Sequence, residues 1–161
     1  MIRGDALYQQ FVAILKEELR PAMGCTEPIA LAYAGAKARE VLGVLPERID
    51  VLVSGNIIKN VKSVVVPNTG GLRGIAAAVC AGVVAGDAGK QLEVIASVSR
   101  EKQAQLKEYM QGVTINISPA ESNLVFDIDL TLYAGEDTAR VRIVNHHTNI
   151  VHISRNGVVE L

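Results

Sequence analysis

The feature that most constrains the fold of this 161-residue chain is a change in the spacing of its apolar residues near residue 112. Before that point, apolar residues recur every three or four positions, which is the period of an amphipathic helix. After it they alternate with polar residues, which is the period of a strand with one buried face. This order predicts an α+β fold, with N-terminal helices packed on a mainly antiparallel sheet that ends in C-terminal hairpins.

Local signals set the limits of the predicted helices. The first helix ends at Arg20-Pro21, because a residue that precedes proline is pushed out of the α region. The second has Thr26 as its N-cap, Pro28 in its first turn and Gly43 as its terminator. The predicted helices cover residues 7–19, 27–42, 72–85 and 91–110, the last with a break near Ser97 and Ser99.

Strand pairing can be predicted in the second half of the chain. If a four-residue loop joins the strands at 126–132 and 139–143, Leu130 lies opposite Val141 and Asp129 lies opposite Arg142. An apolar residue then pairs with an apolar one on one face, and an acid pairs with a base on the other. Asn156-Gly157 is the strongest two-residue hairpin signal in the chain. The predicted strands cover residues 49–53, 64–66, 113–118, 126–132, 139–143, 150–154 and 158–161.

Composition narrows the class of protein. Sixteen basic and seventeen acidic residues leave a net charge of −1, and aromatic residues make up only 4%. Nucleic-acid binding therefore lacks both a basic surface and stacking side chains. The longest stretch of small apolar residues, Gly74–Gly86, is too short to span a bilayer. We expect one cytoplasmic domain, residues 1–161, that does not interact with membranes.

The stretch Gly24-Cys25-Thr26-Glu27-Pro28 is the most informative candidate site. A thiol just ahead of a helix faces free backbone N–H groups at the positive end of the helix dipole. This position predicts a lowered thiol pKa and a thiolate suited to a nucleophile or a metal ligand. The alternative is that Cys25 is a small buried residue at a helix cap. Cys80 lies among alanine and valine residues and is predicted to be a buried, inert thiol.

Three further polar clusters are candidates for ligand binding. His147-Thr148-Asn149 falls at a break between strands, where its side chains could orient a small substrate. Asn56, Lys59 and Asn60 offer amide donors and a cation suited to a carboxylate, and Thr69 precedes a helix whose N–H groups attract anions. For each cluster the alternative is an ordinary turn whose polar groups meet solvent or one another. A zinc site made from the chain's own histidines is not expected.

Four blocks follow one another along the chain: Gly24–Ala32, Asn56–Asn60, Val66-Pro67 with Thr69-Gly70, and His147–Ile153. In this order they resemble the N-terminal part of the L-cysteine desulfidase family, also described as serine dehydratase alpha-like proteins. Two positions depart from the family pattern, since Asn68 and His146 stand where glycine is expected. The resemblance covers essentially the whole chain but only the front portion of the family's longer sequence.

The resemblance implies a [4Fe-4S] lyase that converts L-cysteine or L-serine to pyruvate and ammonia, with release of sulfide or water. Cys25 would be a cluster ligand. The other cluster cysteines belong to a C-terminal portion, so the chain alone is expected neither to hold the cluster nor to turn over substrate, and would need a C-terminal domain or a complementary chain. From their polarity and their positions in the motifs, the candidates for binding or orienting the substrate are Asn56, Lys59, Asn60, Thr69, His147 and Asn149. No residue is assigned as the general base.

Two other interpretations remain open at this point. One is a small-molecule binding or regulatory domain that uses the same glycine-rich turn and amide cluster. The other is a decayed gene product without a function. The sequence also leaves open whether the chain forms a homo-oligomer.

Overall fold

The structure is a computed structural model that describes residues 4–19 and 25–161. The helices are α1 (Ala6–Glu18), α2 (Thr26–Leu42), α3 (Gly55–Val61), α4 (Gly74–Ala85) and α5 (Arg100–Gly112), with a 3₁₀ helix at Ala88–Glu93. The strands are β1 (Arg48–Val53), β2 (Thr114–Pro119), β3 (Asp127–Ala134), β4 (Asp137–Val144), β5 (Ile150–Arg155) and β6 (Val158–Val159). The predicted α+β fold is confirmed. In the described part of the chain, no helix combines the length and the apolar character needed to cross a bilayer.

The strands form one mixed sheet in the order β2-β1-β3-β4-β5-β6. Only β1 and β2 pair in parallel, and the other neighbours are antiparallel. Leu130 pairs with Val141 and Asp129 with Arg142, which confirms the register expected from the sequence. The last hairpin turns at Asn156-Gly157, where both residues have positive φ angles of 51° and 80°. Such angles are typical of the tight turn that an Asn-Gly pair favours.

One face of the sheet carries the core, with α2 packed on β3 and β4 and α4 packed on α2 and α5. Along β1, β3 and β4 every second side chain is buried on this face, because strand side chains alternate between the two faces. The opposite face carries paired charges, such as Arg140 with Asp129. The buried strand residues are Ile49, Val51, Val53, Ile128, Leu130, Leu132, Ala139, Val141 and Ile143.

Glycine and alanine allow α2 and α4 to cross almost backbone to backbone. A Cβ atom built on Gly82 would overlap the carbonyl group of Ala32, and one built on Gly35 would lie 2.6 Å from the carbonyl oxygen of Val79. Real Cβ atoms do not approach other atoms this closely. The alanine-rich composition of both helices is therefore a packing requirement of this contact.

Three local predictions need correction or completion. The N-cap of α2 is Cys25, and Thr26 is its first helical residue. Residues 64–66 do not form a strand, because they fold into a tight loop that returns through a single bridge between Val65 and Arg73. The polar residues after β1 form α3, whereas the sequence suggested a connection between two strands. The predicted helix end at Arg20-Pro21 lies outside the described residues.

The predicted break near Ser97 and Ser99 is confirmed, but the helix predicted from residue 91 is not, because residues 94–99 are not helical. Residues 88–93 form the 3₁₀ helix, and Gln91 within it has a φ angle of 49°. Ser99 is the N-cap of α5, and its hydroxyl oxygen accepts a hydrogen bond from the backbone N–H of Lys102 at 3.2 Å. A serine at this position supplies an acceptor for an N–H group that the first turn leaves free.

A buried ion pair anchors the start of β3. Asp127 is 1% exposed, and Arg142 on β4 donates to both of its carboxylate oxygens at 2.8 and 3.1 Å. Ser122 donates to the same carboxylate, while the hydroxyl of Ser54 accepts from the backbone N–H of Asp127. Burial opposes ionisation of Asp127, but the hydrogen bonds from Arg142 and Ser122 prevail and hold its pKa below the usual range.

We predict that Gly82→Ala destabilises the fold by about 3 kcal/mol or more, because the added methyl group would force α2 and α4 apart. Chemical denaturation of the purified variant measures this change. Gly112→Ala is the matched control, since nothing lies within 4 Å of a Cβ at that position. Equal losses in the two variants would contradict the proposed role of the helix crossing.

The ion pair of Asp127 makes a second prediction, about acid stability. A carboxyl group with a lowered pKa in the folded state stabilises the fold above its unfolded pKa, and this contribution is lost as the pH falls through the folded pKa. We expect Asp127→Asn to lower the free energy of unfolding near neutral pH by up to about 3 kcal/mol and to flatten its dependence on pH below about 4. Urea denaturation over an acidic pH series tests this, with the exposed Glu136→Gln as control. An unchanged pH dependence in Asp127→Asn would be evidence against the pair.

Candidate functional site

The start of α2 places Cys25 at the surface of the protein. Its side chain is exposed, and its Sγ lies 3.4 Å from Oε2 of Glu27, two residues along the chain. Pro28 is buried in the first turn, where a missing N–H group costs no helical hydrogen bond. Gly24, the first residue of the predicted block, lies outside the described residues.

The prediction that the helix start lowers the thiol pKa of Cys25 is wrong. Partial burial raises this pKa, and the hydrogen bond and negative charge of Glu27 raise it further. The backbone N–H groups of Thr26 and Glu27 act in the opposite direction, as expected from the helix position, but they do not prevail. Cys25 is therefore mainly a neutral thiol near neutral pH, because partial burial and the facing carboxylate both oppose its ionisation.

The turn from β4 to β5 is held in shape by its own backbone and by Asn149. The side-chain amide of Asn149 donates to the carbonyl of Val144 at 2.9 Å, and the backbone N–H of Asn145 donates to the carbonyl of Phe126. Asn145 has a φ angle of 68°, a left-handed conformation that asparagine tolerates better than most residues. These contacts fix the backbone that carries His147.

His147 has an unusual environment in this turn. Its ring packs against Phe126 with 4.6 Å between the ring centroids. Nε2 is buried and has no hydrogen-bond partner among the residues that the structure describes. Burial lowers the pKa of His147, and the nearby Glu27 only partly offsets this effect, so the ring is neutral near pH 7. A buried polar atom without a partner is costly, and a bound ligand could supply the missing hydrogen bond.

His147 lines a cleft of about 720 Å³, a volume suited to a small molecule. Its walls come from the end of α1, the start of α2, the 3₁₀ helix and the β4–β5 turn. Within residues 4–19 and 25–161, neither lysine nor arginine lines the cleft, whereas two glutamates do. The lining residues are Glu17, Glu18, Thr26, Leu92, Asn145, His146, His147, Thr148 and Asn149.

Two smaller hollows are weaker candidates. One of about 390 Å³ lies on the open face of the sheet, where Arg140 already binds Asp129 through two hydrogen bonds. The other, of about 410 Å³, lies beside the last turn of α2 and includes Arg39, whose Nε is also buried and without a partner among the described residues. Glu40 and Asp87 line the same hollow, so its charge does not favour an anion over a cation.

The structure brings some of the predicted site residues together and separates others. His147 and Asn149 line the cleft, and Cys25 directly precedes Thr26 in its wall. Asn56, Lys59 and Asn60 are exposed on α3 and are not among the lining residues. Thr69 is fully buried, and its hydroxyl donates to the carbonyl of Val66 and accepts from the backbone N–H of Leu72. The roles of these residues in binding stay predictions.

Sequence reasoning missed the acidic wall of the cleft. Glu17 and Glu18 belong to α1, far along the chain from His147, and no local motif connects them. The sequence also could not predict that Nε2 of His147 is buried without a hydrogen-bond partner among the described residues, because the ring packs against Phe126 through tertiary structure. Only the polarity of His147-Thr148-Asn149 signalled this place in the sequence.

The described residues do not fit an iron–sulfur cluster. A [4Fe-4S] cluster is held by three or four thiolates, and the chain has only two cysteines. Cys80 is buried within α4, where burial raises its pKa to about 12. Within residues 4–19 and 25–161 there is also no group of three or more histidine, cysteine, aspartate or glutamate side chains able to hold a metal ion.

Comparisons with known proteins give a different relationship from the one expected. The chain is 53% identical over 159 residues to a UPF0597 protein of Desulfitobacterium hafniense, a match that covers 99% of the chain and 37% of that protein. It is 44% identical to a UPF0597 protein of Lachnoclostridium phytofermentans and 42% identical to one of Treponema denticola. These matches cover 95% and 94% of the chain, and 37% and 35% of the two relatives.

No family model matches the chain, and no solved structure matches it. The relatives are named UPF0597 proteins, and these names mention neither a lyase nor an iron–sulfur cluster. The assignment to the L-cysteine desulfidase family, and with it the expectation of an iron–sulfur lyase fragment, is therefore wrong. The chain is similar to UPF0597 proteins over nearly its whole length and spans a little over one third of theirs.

Proposed function

We propose that the cleft between the start of α2 and the β4–β5 turn binds a small molecule that carries a protonated amine. The observation that carries this proposal is the buried Nε2 of His147, which has no partner among the described residues. In a neutral imidazole with its proton on Nδ1, Nε2 is a hydrogen-bond acceptor. An ammonium group, which can only donate hydrogen bonds, would supply the hydrogen bond that Nε2 lacks.

The charge of the cleft favours the same class of ligand. Glu17 and Glu18 contribute two carboxylates, and among the described residues the histidines are the only basic side chains that line the walls. Glu27, close enough to influence His147, adds a third negative charge beside the cleft. A cationic group is attracted to such a site, whereas a simple carboxylate is repelled. An amino acid such as L-serine is one molecule with the required amine.

The remaining walls supply neutral contacts that could orient the rest of the ligand. Thr26 and Thr148 bring hydroxyl groups, Asn145 brings an amide, and Leu92 brings an apolar surface. Binding sites for small molecules commonly combine a few polar groups with an apolar wall in this way. The turn is already fixed by Asn149, so little ordering is required when the ligand binds.

A titration followed by two-dimensional amide NMR tests the proposal with three probes: ethanolamine, L-serine and sodium acetate. We expect ethanolamine and L-serine to shift the resonances of residues 145–149 and of Thr26, and acetate to leave them unchanged. His147→Phe keeps a ring against Phe126 but removes both nitrogens, so it should retain the fold and lose the shifts.

His152→Ala is the matched control for that experiment. His152 lies on β5, where its Nε2 is within 3.0 Å of the Ser154 hydroxyl, and it does not line the cleft. It should bind the probes as the unmodified protein does. Stronger binding of acetate than of ethanolamine, or unchanged binding in His147→Phe, would contradict the proposal.

The lowered pKa of His147 predicts how binding depends on pH. Protonation would turn Nε2 from an acceptor into a donor and add a positive charge next to the ammonium group. Because the pKa lies below the ordinary value near 6.5, ethanolamine binding should hold constant from about pH 8 to about 6.5 and weaken only at lower pH. Calorimetric titrations at several pH values measure this. Weakening that begins above pH 7 would argue against a neutral His147 as the acceptor.

A further inference from the structure

Helix α1 carries an apolar face that the rest of the described chain leaves uncovered. None of the residues of α1 is buried, although the helix has the amphipathic pattern of one that packs against a neighbour. Its large apolar side chains are about half exposed or more: Leu7 53%, Phe11 48%, Ile14 53%, Leu15 53% and, at the C-cap, Leu19 68%. We propose that two copies of this chain associate through antiparallel packing of these α1 faces.

The order of apolar residues in α1 supports a second copy as the occupant. The pattern is symmetric about Phe11, since Leu7 and Leu15 lie four residues to either side and Tyr8 and Ile14 lie three to either side. In an antiparallel pair with its two-fold axis at Phe11, the matched apolar stretch from Leu7 to Leu15 therefore lies along the same stretch of the other copy, and Leu19 extends beyond it. A two-fold interface requires such a self-complementary surface.

The area is also of the right size. A large apolar residue offers on the order of 200 Å², so each of the four half-exposed residues between Leu7 and Leu15 leaves roughly 100 Å² uncovered. Burying them in both copies removes roughly 800 Å² from water, which is the size of a weak, transient protein interface. The interface would be of modest size, and we expect a dimer that dissociates on dilution.

Charges at the two ends of α1 are compatible with the antiparallel arrangement. With residues paired about Phe11, Glu18 of one copy lies level with Gly4 of the other, just before the first turn of α1. That end of a helix attracts carboxylates, and α1 has no acidic residue in its own first turn. Glu17 lies level with Asp5 of the other copy, which leaves one like-charge pair at each end, with Lys16 one residue from Glu17. A parallel pair is less favourable, since it brings Glu17 and Glu18 of both copies together.

Sedimentation equilibrium of the purified chain over a wide micromolar range tests the association. We expect a monomer–dimer equilibrium, and Phe11→Glu should weaken it by about 30-fold or more, because a central anchor is replaced by like charges at the axis. Val158→Glu alters an equally prominent apolar residue at the edge of the sheet and should leave the equilibrium unchanged. Circular dichroism checks that both variants are folded.

Cross-linking tests the geometry of the pair. In a Cys25→Ser background, Phe11→Cys places two thiols at the two-fold axis, where mild oxidation should give a disulfide-linked dimer. Ala13→Cys, exposed on the opposite side of α1, should not form one.

A chain that stays monomeric, a dimer that persists in Phe11→Glu, or preferential binding of α1 to phosphatidylcholine vesicles would overturn the proposal. Because ligand binding at His147 is measured separately, failure of one proposal leaves the other to its own test.

Discussion

The close crossing of α2 and α4 is the contact on which the rest of the structure depends. Gly35 and Gly82 remove the side chains that would hold the two helix backbones apart. In this pair, α2 packs on the apolar face of β3 and β4, and α4 packs on α2. If the helices were further apart, the strand side chains beneath them would face gaps, and a gap in a protein core lowers stability.

The same contact positions the candidate site. Because α2 is fixed over β3 and β4, its first turn comes next to the turn that follows β4. Thr26 and His147 meet there although they are far apart in the sequence. Glu27 acts on two groups of this site, since its charge favours protonation of both Cys25 and His147. For the thiol this adds to the effect of burial, and for the imidazole it opposes it.

Periodic and local signals predicted most of the fold. The register of β3 and β4, the Asn156-Gly157 turn and the break before α5 each depend on residues that are close in the sequence, so local reasoning was sufficient. The missing strand at 64–66 shows the limit of this reasoning. Three consecutive valines favour extended backbone, but they form a strand only where a partner strand is available, and here the loop offers a single bridge.

The site was predicted only in part, for a different physical reason. The turn with His147 and the position of Cys25 before α2 are features of short segments and were identified. The direction of the pKa shift of Cys25 was not, because burial and, after it, the carboxylate of Glu27 outweigh the effect of the backbone N–H groups. The burial of the Thr69 hydroxyl and the acidic wall from α1 follow from tertiary packing, which no motif encodes.

The burial of α2 has a consequence for how the chain is made. Apolar side chains are covered on nearly all sides of this helix, by α4 and by strands that come much later in the sequence. During synthesis α2 emerges from the ribosome well before β3 and β4, so at that stage these strands cannot yet cover its apolar side chains. Either α4 shields it first, as the next long helix to emerge, or a chaperone must hold it until the sheet is complete.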